Sequence, residues 1–192
     1  MEAIDRQFGR PKGLLGSIVG HLMASEHKSL HKAAIERLQL KDTDHVLEIG
    51  FGPGTAVKLA AQQADFVAGI DPSAEMVRQA ARRNRAMIRT GRVELKQGSA
   101  ISLPHPDGQF SVVFEIHSFH HWEDSQKGLM ETFRVLRQGG QFLMCLNSME
   151  FGSKRSEALQ IAEKLRGVGF CKIDHQAHSF GHGGTFITAH RR

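Results

Sequence analysis

The sequence predicts an α/β protein built on a doubly wound, mostly parallel sheet with helices on both faces. Three observations lead there. From Lys41 onward, short apolar runs of strand length alternate with segments of helical period, the pattern of right-handed βαβ units. The run Val46-Leu47-Glu48-Ile49 breaks into the closely spaced Gly50, Gly52 and Gly54 and then reads as helix. Such a strand end turns sharply and leaves no side chains between the backbone and a ligand. Asp71 then closes the next apolar run about 20 residues on, where doubly wound folds place an acid that accepts hydrogen bonds from ribose hydroxyls.

Composition narrows the class. At 192 residues, 40% hydrophobic and 23% charged, the chain reads as one compact soluble domain with a sizeable core and no run long enough to span a bilayer. Arg6, Arg10 and Lys12 before Leu14–Ala24 loosely imitate a signal peptide. Glu2, Asp5 and the interrupting glycines argue instead for mature, cytoplasmic sequence. Cys145 and Cys171 fall in expected strands and make no disulfide framework, which fits a reducing compartment. The net charge of +5 permits an acidic partner. However, Arg78, Arg82, Arg83, Arg85, Arg89 and Arg92 read as a solvated helix face opposite Met76, Val77, Ala80, Ala81, Met87 and Ile88. With no tyrosine and one tryptophan, the aromatic platforms of single-strand binding are not evident.

The elements follow in order. Leu14, Ile18 and Leu22 share a helical stripe over 13–24, and Ala33, Ala34, Ile35 and Leu38 one over 29–38. Neither helix belongs to a βα repeat, so residues 1–40 are expected to form a helical cap over a cleft in the 41–192 domain. Strand 46–50, helix 55–63 and strand 66–70 come next, then Asp71-Pro72-Ser73 as a helix start, the arginine-rich helix, and strand 93–97. Residues 98–104 turn back over the sheet edge and His105-Pro106-Asp107-Gly108 is turn chemistry. Strand 110–116 follows, with a helix over 125–136 and a strand at 141–146. The pattern ends with a helix near 154–166, a strand from Phe170 to about His175, a loop through Gly184 and a strand at 186–189.

The glycine spacing departs from the dinucleotide pattern, which would need a small residue at Thr55. Glu48 with Gly50, Gly52 and Gly54 resembles instead the first motif of the class I S-adenosylmethionine (SAM) dependent methyltransferases, small-molecule (type 11-like) branch. The likeness runs from about residue 43 to 190 and implies a Rossmann-like sheet of seven strands with an antiparallel last strand. It also implies SAM as cofactor and S-adenosylhomocysteine (SAH) as product. By the same resemblance Glu48 serves the cofactor's amino group. Gly50, Phe51, Gly52 and Gly54 lie against its methionine and ribose, Asp71 with Pro72 and Met76 beside the ribose, Ser99 and Ala100 at the adenine, and Ile116 and His117 along its flank. Ser99 stands where the family often has Asp, as does Ser111 after Phe110. The segment His117–Asp124 looks like the substrate-side turn of the family, and Arg134–Gln141 like a structural fifth motif.

Methyl transfer from a sulfonium is an in-line displacement on an activated carbon, so the protein supplies position and exclusion of water. A base helps where the acceptor is a hydroxyl or ammonium, and His117, His120 and His121 are the candidates. Leu22, Met23, His120 and Trp122 are expected to meet the acceptor. The sets His117, His120, His121 and His175, His178, His182 show no cysteine pair and no His-x-x-x-His face, so no metal is expected. Cys145, mid-strand in an apolar run, reads as a buried thiol. Base-methylating relatives carry an Asn- or Asp-Pro-Pro-aromatic tetrad where Glu115-Ile116-His117-Ser118 stands, so nucleic acid is disfavoured. The expected acceptor is a small molecule methylated on N, O, S or C, with the cleft covered by Leu14, Ile18, Leu22 and Met23 or by a second copy in a homodimer. The alternatives are a non-catalytic SAM-binding partner subunit and an NAD(P)-dependent oxidoreductase.

Overall fold

The structure is a computed structural model, which describes residues 28–147, 154–179 and 183–192. The helix expected over 13–24, with Leu14, Ile18, Leu22 and Met23, lies outside the described residues, as does His182. The described chain folds as α1 (Lys28–Leu38), β1 (His45–Ile49), α2 (Thr55–Ala60), β2 (Phe66–Asp71), α3 (Ala74–Arg83), α4 (Arg85–Arg89) and β3 (Val93–Gln97). It continues through β4 (Phe110–Ile116), a single 3-10 turn (Phe119–His121), α5 (Ser125–Val135), β5 (Leu136–Asn147), α6 (Lys154–Val168), β6 (Phe170–His178) and β7 (Gly184–Arg191).

The seven strands form one sheet in the order β3-β2-β1-β4-β5-β7-β6. All neighbours are parallel except β7, which runs antiparallel to both β5 and β6. Every residue of β4 is buried, as expected of a central strand covered on both faces. One face packs α1, α2 and α3 through Leu30, Ile35, Val57 and Ala80. The other packs α5 and α6 through Leu129, Val135, Ile161 and Leu165. No helix of the described residues is long and apolar enough to cross a membrane.

The helix expected over 29–38 forms at Lys28–Leu38 with its apolar stripe inward. Leu30, Ala34, Ile35 and Leu38 are buried against the sheet, and burial of each large apolar side chain contributes about 1.5–3 kcal/mol. Three boundaries further on differ from expectation, each for a physical reason. The arginine-rich segment breaks at Asn84, whose buried amide donates to Ala80 O and Gly54 O. Local bonding to the preceding turn competes with helix continuation. β5 begins at Leu136, not Gln141. Phe110 pairs with Leu136 and Val112 with Gln141, so residues 137–140 bulge from the ladder, helped by Gly139 at φ 73°. β6 runs three residues past His175 because β7 pairs with it as far as His178.

Two arginines tie the loops down. Arg134 donates to Leu103 O, His105 O, Asp107 and Glu131, which locks the 103–108 turn to α5. Arg191 donates to the carbonyls of Phe133, Arg134 and Leu136 and caps the carboxyl end of α5. Ser111, where the family often has Asp, donates to Asp44 Oδ1 at 2.8 Å and accepts from His45 N at 3.1 Å, joining β4 to the start of β1.

Candidate active site

Ligands of open α/β sheets lie beyond the carboxyl ends of the strands, and here β1, β2 and β4 end in a glycine loop, an acid and a histidine turn. Gly50, Gly52 and Gly54 all have positive φ, at 75°, 50° and 74°. Their reasons for being glycine differ. A Cβ on Gly50 would come within 2.3 Å of Ser118 Cβ, and one on Gly54 within 2.6 Å of Ala80 Cβ, whereas one on Gly52 would meet nothing within 4 Å. Gly52 therefore faces open space above the loop. The loop is gripped from α3: Arg83 donates to Pro53 O at 2.8 Å and Asn84 to Gly54 O at 3.0 Å. Arg83 is thus not part of a solvated face.

Glu48 is 2% exposed. Gly54, as N-cap, offers α2 no side-chain acceptor, and the Glu48 carboxylate takes the Val57 N–H instead. Its Oε2 is buried without a hydrogen-bond partner. Burial, and next the neighbouring Asp71 carboxylate, push its carboxyl well above the usual carboxylate range. Asp71 is also buried. Its Oδ2 accepts from Gly52 N and its Oδ1 from Ser73 N, both at 2.8 Å. It therefore fixes the loop while each oxygen keeps a second lone pair for a hydroxyl. Burial raises its pKa and the two N–H groups oppose that rise.

Glu115, passed over in the sequence, is the hub of the β4 end. Fully buried, its Oε2 accepts from Ser118 N and Phe119 N at 2.9 Å each, and its Oε1 from Cys145 N at 3.1 Å. The Ser118 hydroxyl lies 3.1 Å from Oε2 and 2.8 Å from Ile49 O, and its Cβ packs on Gly50. This one carboxyl therefore holds the histidine turn, β5 and the glycine loop in register. Burial raises its pKa to about 7 against those donors. The signal in the sequence was an acid inside a seven-residue apolar strand, which is costly unless fully partnered.

The remaining expected residues divide. Ile116 is buried and His117 half-buried beside the loop, the latter at φ 53° with its N–H on Cys145 O at 3.0 Å. That conformation is uncommon outside glycine and marks a built turn. Ser99 and Ala100 follow Gly98, whose N–H bonds to Asp71 O at 3.1 Å, and so stand next to Asp71. Pro72 is at the rim. The His120 and His121 rings lie with centroids 3.7 Å apart and planes tilted by 50°, the first half-buried and the second exposed.

Two expectations change. Phe51 puts its side chain in the core, 3% exposed, in the hollow left by Gly69, so only its backbone can face a ligand. Met76 is likewise a core side chain. Trp122 packs against Phe119 with centroids 5.1 Å apart, and a Cβ on Gly128 would meet its ring at 2.4 Å. Its ring is thus packed against α5 and half-buried. Cys145 is buried with its thiol pKa raised, first by burial, the setting of an inert thiol.

The donor set fits SAM. The ends of β1 and β2 carry two buried carboxyls, Glu48 with one oxygen that lacks a partner and Asp71, beside a glycine over open space. SAM brings an ammonium, a positive sulfonium and ribose hydroxyls, which match those acceptors.

Comparison with known proteins agrees. Residues 47–144 match a family described as a methyltransferase domain. The uncharacterized methyltransferase YdaC of Bacillus subtilis (strain 168) is 30% identical over 165 residues, 83% of this chain and 89% of that protein. The 27-O-demethylrifamycin SV methyltransferase of Amycolatopsis mediterranei (strain S699) is 34% identical over 108 residues, 56% of this chain and 40% of that one. Among solved structures, a SAM dependent methyltransferase from Aquifex aeolicus superposes with a TM-score of 0.68 at 20% identity, over 83% of this chain and 88% of that chain.

Proposed function

This chain belongs to the methyltransferase domain family and is a SAM-dependent methyltransferase, and we propose that it methylates a small molecule received at the His117–His121 turn. Family membership sets aside the nicotinamide and non-catalytic alternatives. The observation that carries the proposed cofactor placement is the partnerless buried oxygen of Glu48 beside a glycine that faces open space. In this reading Glu48 takes the cofactor's ammonium, Asp71 its ribose hydroxyls, and the backbone of residues 50–54 the chain between them. The 99–100 turn flanks the adenine.

When bound, SAM supplies a methyl group on a positively charged sulfur, already activated toward displacement. The protein's part is then geometric and electrostatic. The buried carboxyls favour positive charge in the cleft, the glycine loop brings the donor close to the backbone, and the apolar strand ends exclude water. A proton on an acceptor hydroxyl or ammonium would pass to a ring nitrogen of His117 or His120, both at the end of β4. Two things support a small acceptor: the sequence likeness to an enzyme named for a small substrate, and the missing Pro-Pro-aromatic tetrad. Its two unpaired cysteines suit the cytoplasm.

The test is a panel of phenols, amines, thiols and carboxylic acids incubated with labelled SAM, with SAH release as readout. Turnover on at least one class is expected. The combined substitution His117→Asn, His120→Gln and His121→Gln should then lower kcat by about 100-fold, within the usual contribution of a general base, and weaken SAH binding far less, through the flank that His117 gives the cofactor. Asn suits the positive φ at 117. Unchanged turnover in that variant would remove the proton-accepting role.

A further inference from the structure

On the α1 face of the sheet, beside the carboxyl end of β6, the surface opens into a pocket of about 520 Å³, within the range of small-ligand sites. Its walls include Ala33 and Arg37 of α1, Gln176, Ala177 and His178 of β6, and Phe186 of β7. The guanidinium of Arg37 is the pocket's cation. Its Nη1 donates to Gln176 Oε1 at 2.5 Å and its carbon sits 5.6 Å from the centre of the Phe186 ring. Its Nε is buried and has no hydrogen-bond partner. The carboxylate nearby, Asp174, stands 3.5 Å away with a side chain 73% exposed, a weak, solvent-screened hold. The His178 ring packs on Phe186 with centroids 4.5 Å apart, and burial lowers its pKa, so it adds surface more than charge at neutral pH. The pocket thus joins an under-used planar cation to an aromatic and aliphatic wall.

Its position relates it to the active site. Ile116 pairs with Cys145, and Cys145 with Phe186, and all three belong to the same core face. With strands about 4.8 Å apart, Phe186 stands roughly 10 Å from the strand end that carries His117. That is the span of a mid-sized organic molecule. Guanidinium geometry suits a carboxylate or phosphate, which it can meet with two parallel N–H donors.

We propose that this pocket receives the far end of the methyl acceptor, and that this end is an anionic group, carboxylate or phosphate, on an apolar or aromatic body. Arg37 meets the anion, and Phe186 with Ala33 and Ala177 covers the body. The inference rests on the reading of the His117–His121 turn as the acceptor's mouth.

The experiment titrates SAH-saturated protein with phenylacetate, phenyl phosphate and neutral phenylacetamide, in the wild type and in Arg37→Met, which keeps an aliphatic stem. At least one anion should bind, tenfold or more tighter than the amide. The variant should lose that preference while its SAH affinity, measured in parallel, stays unchanged. Arg37→Lys should recover part of it. The bound anion should also slow turnover in competition with the acceptor and not with SAM. Equal binding of anion and amide, no binding of either anion to SAH-loaded wild type, or an Arg37→Met variant that keeps the preference would overturn the proposal and leave the methyltransferase reading intact. A wild type that fails to bind SAH would overturn the cofactor placement, and this proposal with it.

Discussion

Glu48→Gln should bind SAM and SAH ~10- to 150-fold more weakly than the wild type, the equivalent of the about 1.5–3 kcal/mol of a hydrogen bond to a charged group. It should nonetheless remain folded. The amide oxygen of Gln can still accept the Val57 N–H that Glu48 takes at the start of α2, whereas a negative partner for the cofactor's ammonium is gone. The pH dependence sharpens the test. Glu48 is raised well above 4.5 by burial and by Asp71, so its ionised form is disfavoured in the free protein. Stability from the protonated carboxyl is fully present below the unfolded pKa and is lost as pH rises through the folded one. Binding runs the other way, since only the ionised form pairs with an ammonium. SAH affinity should therefore rise in the wild type as pH climbs above the ordinary carboxylate range, and rise less in Glu48→Gln, where Asp71 alone of the two still titrates. Titration calorimetry over the same rise in pH reads both. Equal affinities and equal slopes would remove Glu48 from the cofactor site.

Glu115→Ala should cost about 3–5 kcal/mol of unfolding free energy, in the range for breaking a buried polar network. Three backbone N–H groups, those of Ser118, Phe119 and Cys145, would lose their acceptor inside the core, and buried donors left unpaired are costly. Urea unfolding measures it, with Glu115→Gln expected to lie between alanine and wild type. The folded pKa near 7 fixes the sign of the pH effect. The acid is raised above its unfolded value, so its stabilisation is complete below about 4.5 and falls as pH rises toward 7. Relative to Glu115→Gln, the wild type should lose up to about 3 kcal/mol across that window. A wild type and variants with parallel pH profiles would mean that the carboxyl is not buried as described.

Much of this was readable in the chain, and the exceptions share a cause. The strand at 110–116 and the glycine loop stood out because turn residues bracket them and their hydrophobic pattern is local. Glu48 and Asp71 were placed by spacing from those glycines. What sequence could not give is which distant residue fills which hollow. Ser118 packs on Gly50 and the Ser118 hydroxyl reaches Ile49 O, 69 positions away. Arg83, read as helix surface, and its neighbour Asn84 grip the loop 30 positions back. Phe51 and Met76 lie close to the site in sequence, yet their side chains turn to the core, Phe51 into the hollow at Gly69. Neighbourhood along the chain locates a backbone, not the direction of a side chain. Glu115 was legible as an anomaly, an acid in an apolar strand, but its donors come from β5 and from the turn that follows.

The claim at the centre is that the cofactor lies against the backbone at Gly52. SAH titration of the wild type beside Gly52→Leu tests it most directly. A Cβ at Gly52 meets nothing of the protein within 4 Å, so the new side chain would set out into the space assigned to the cofactor. The backbone cost at φ 50° is about 1–2 kcal/mol, small enough for the variant to stay folded. The expected result is micromolar binding by the wild type and no measurable heat from a cooperatively melting Gly52→Leu. Binding of SAH by that variant at wild-type affinity would contradict the placement.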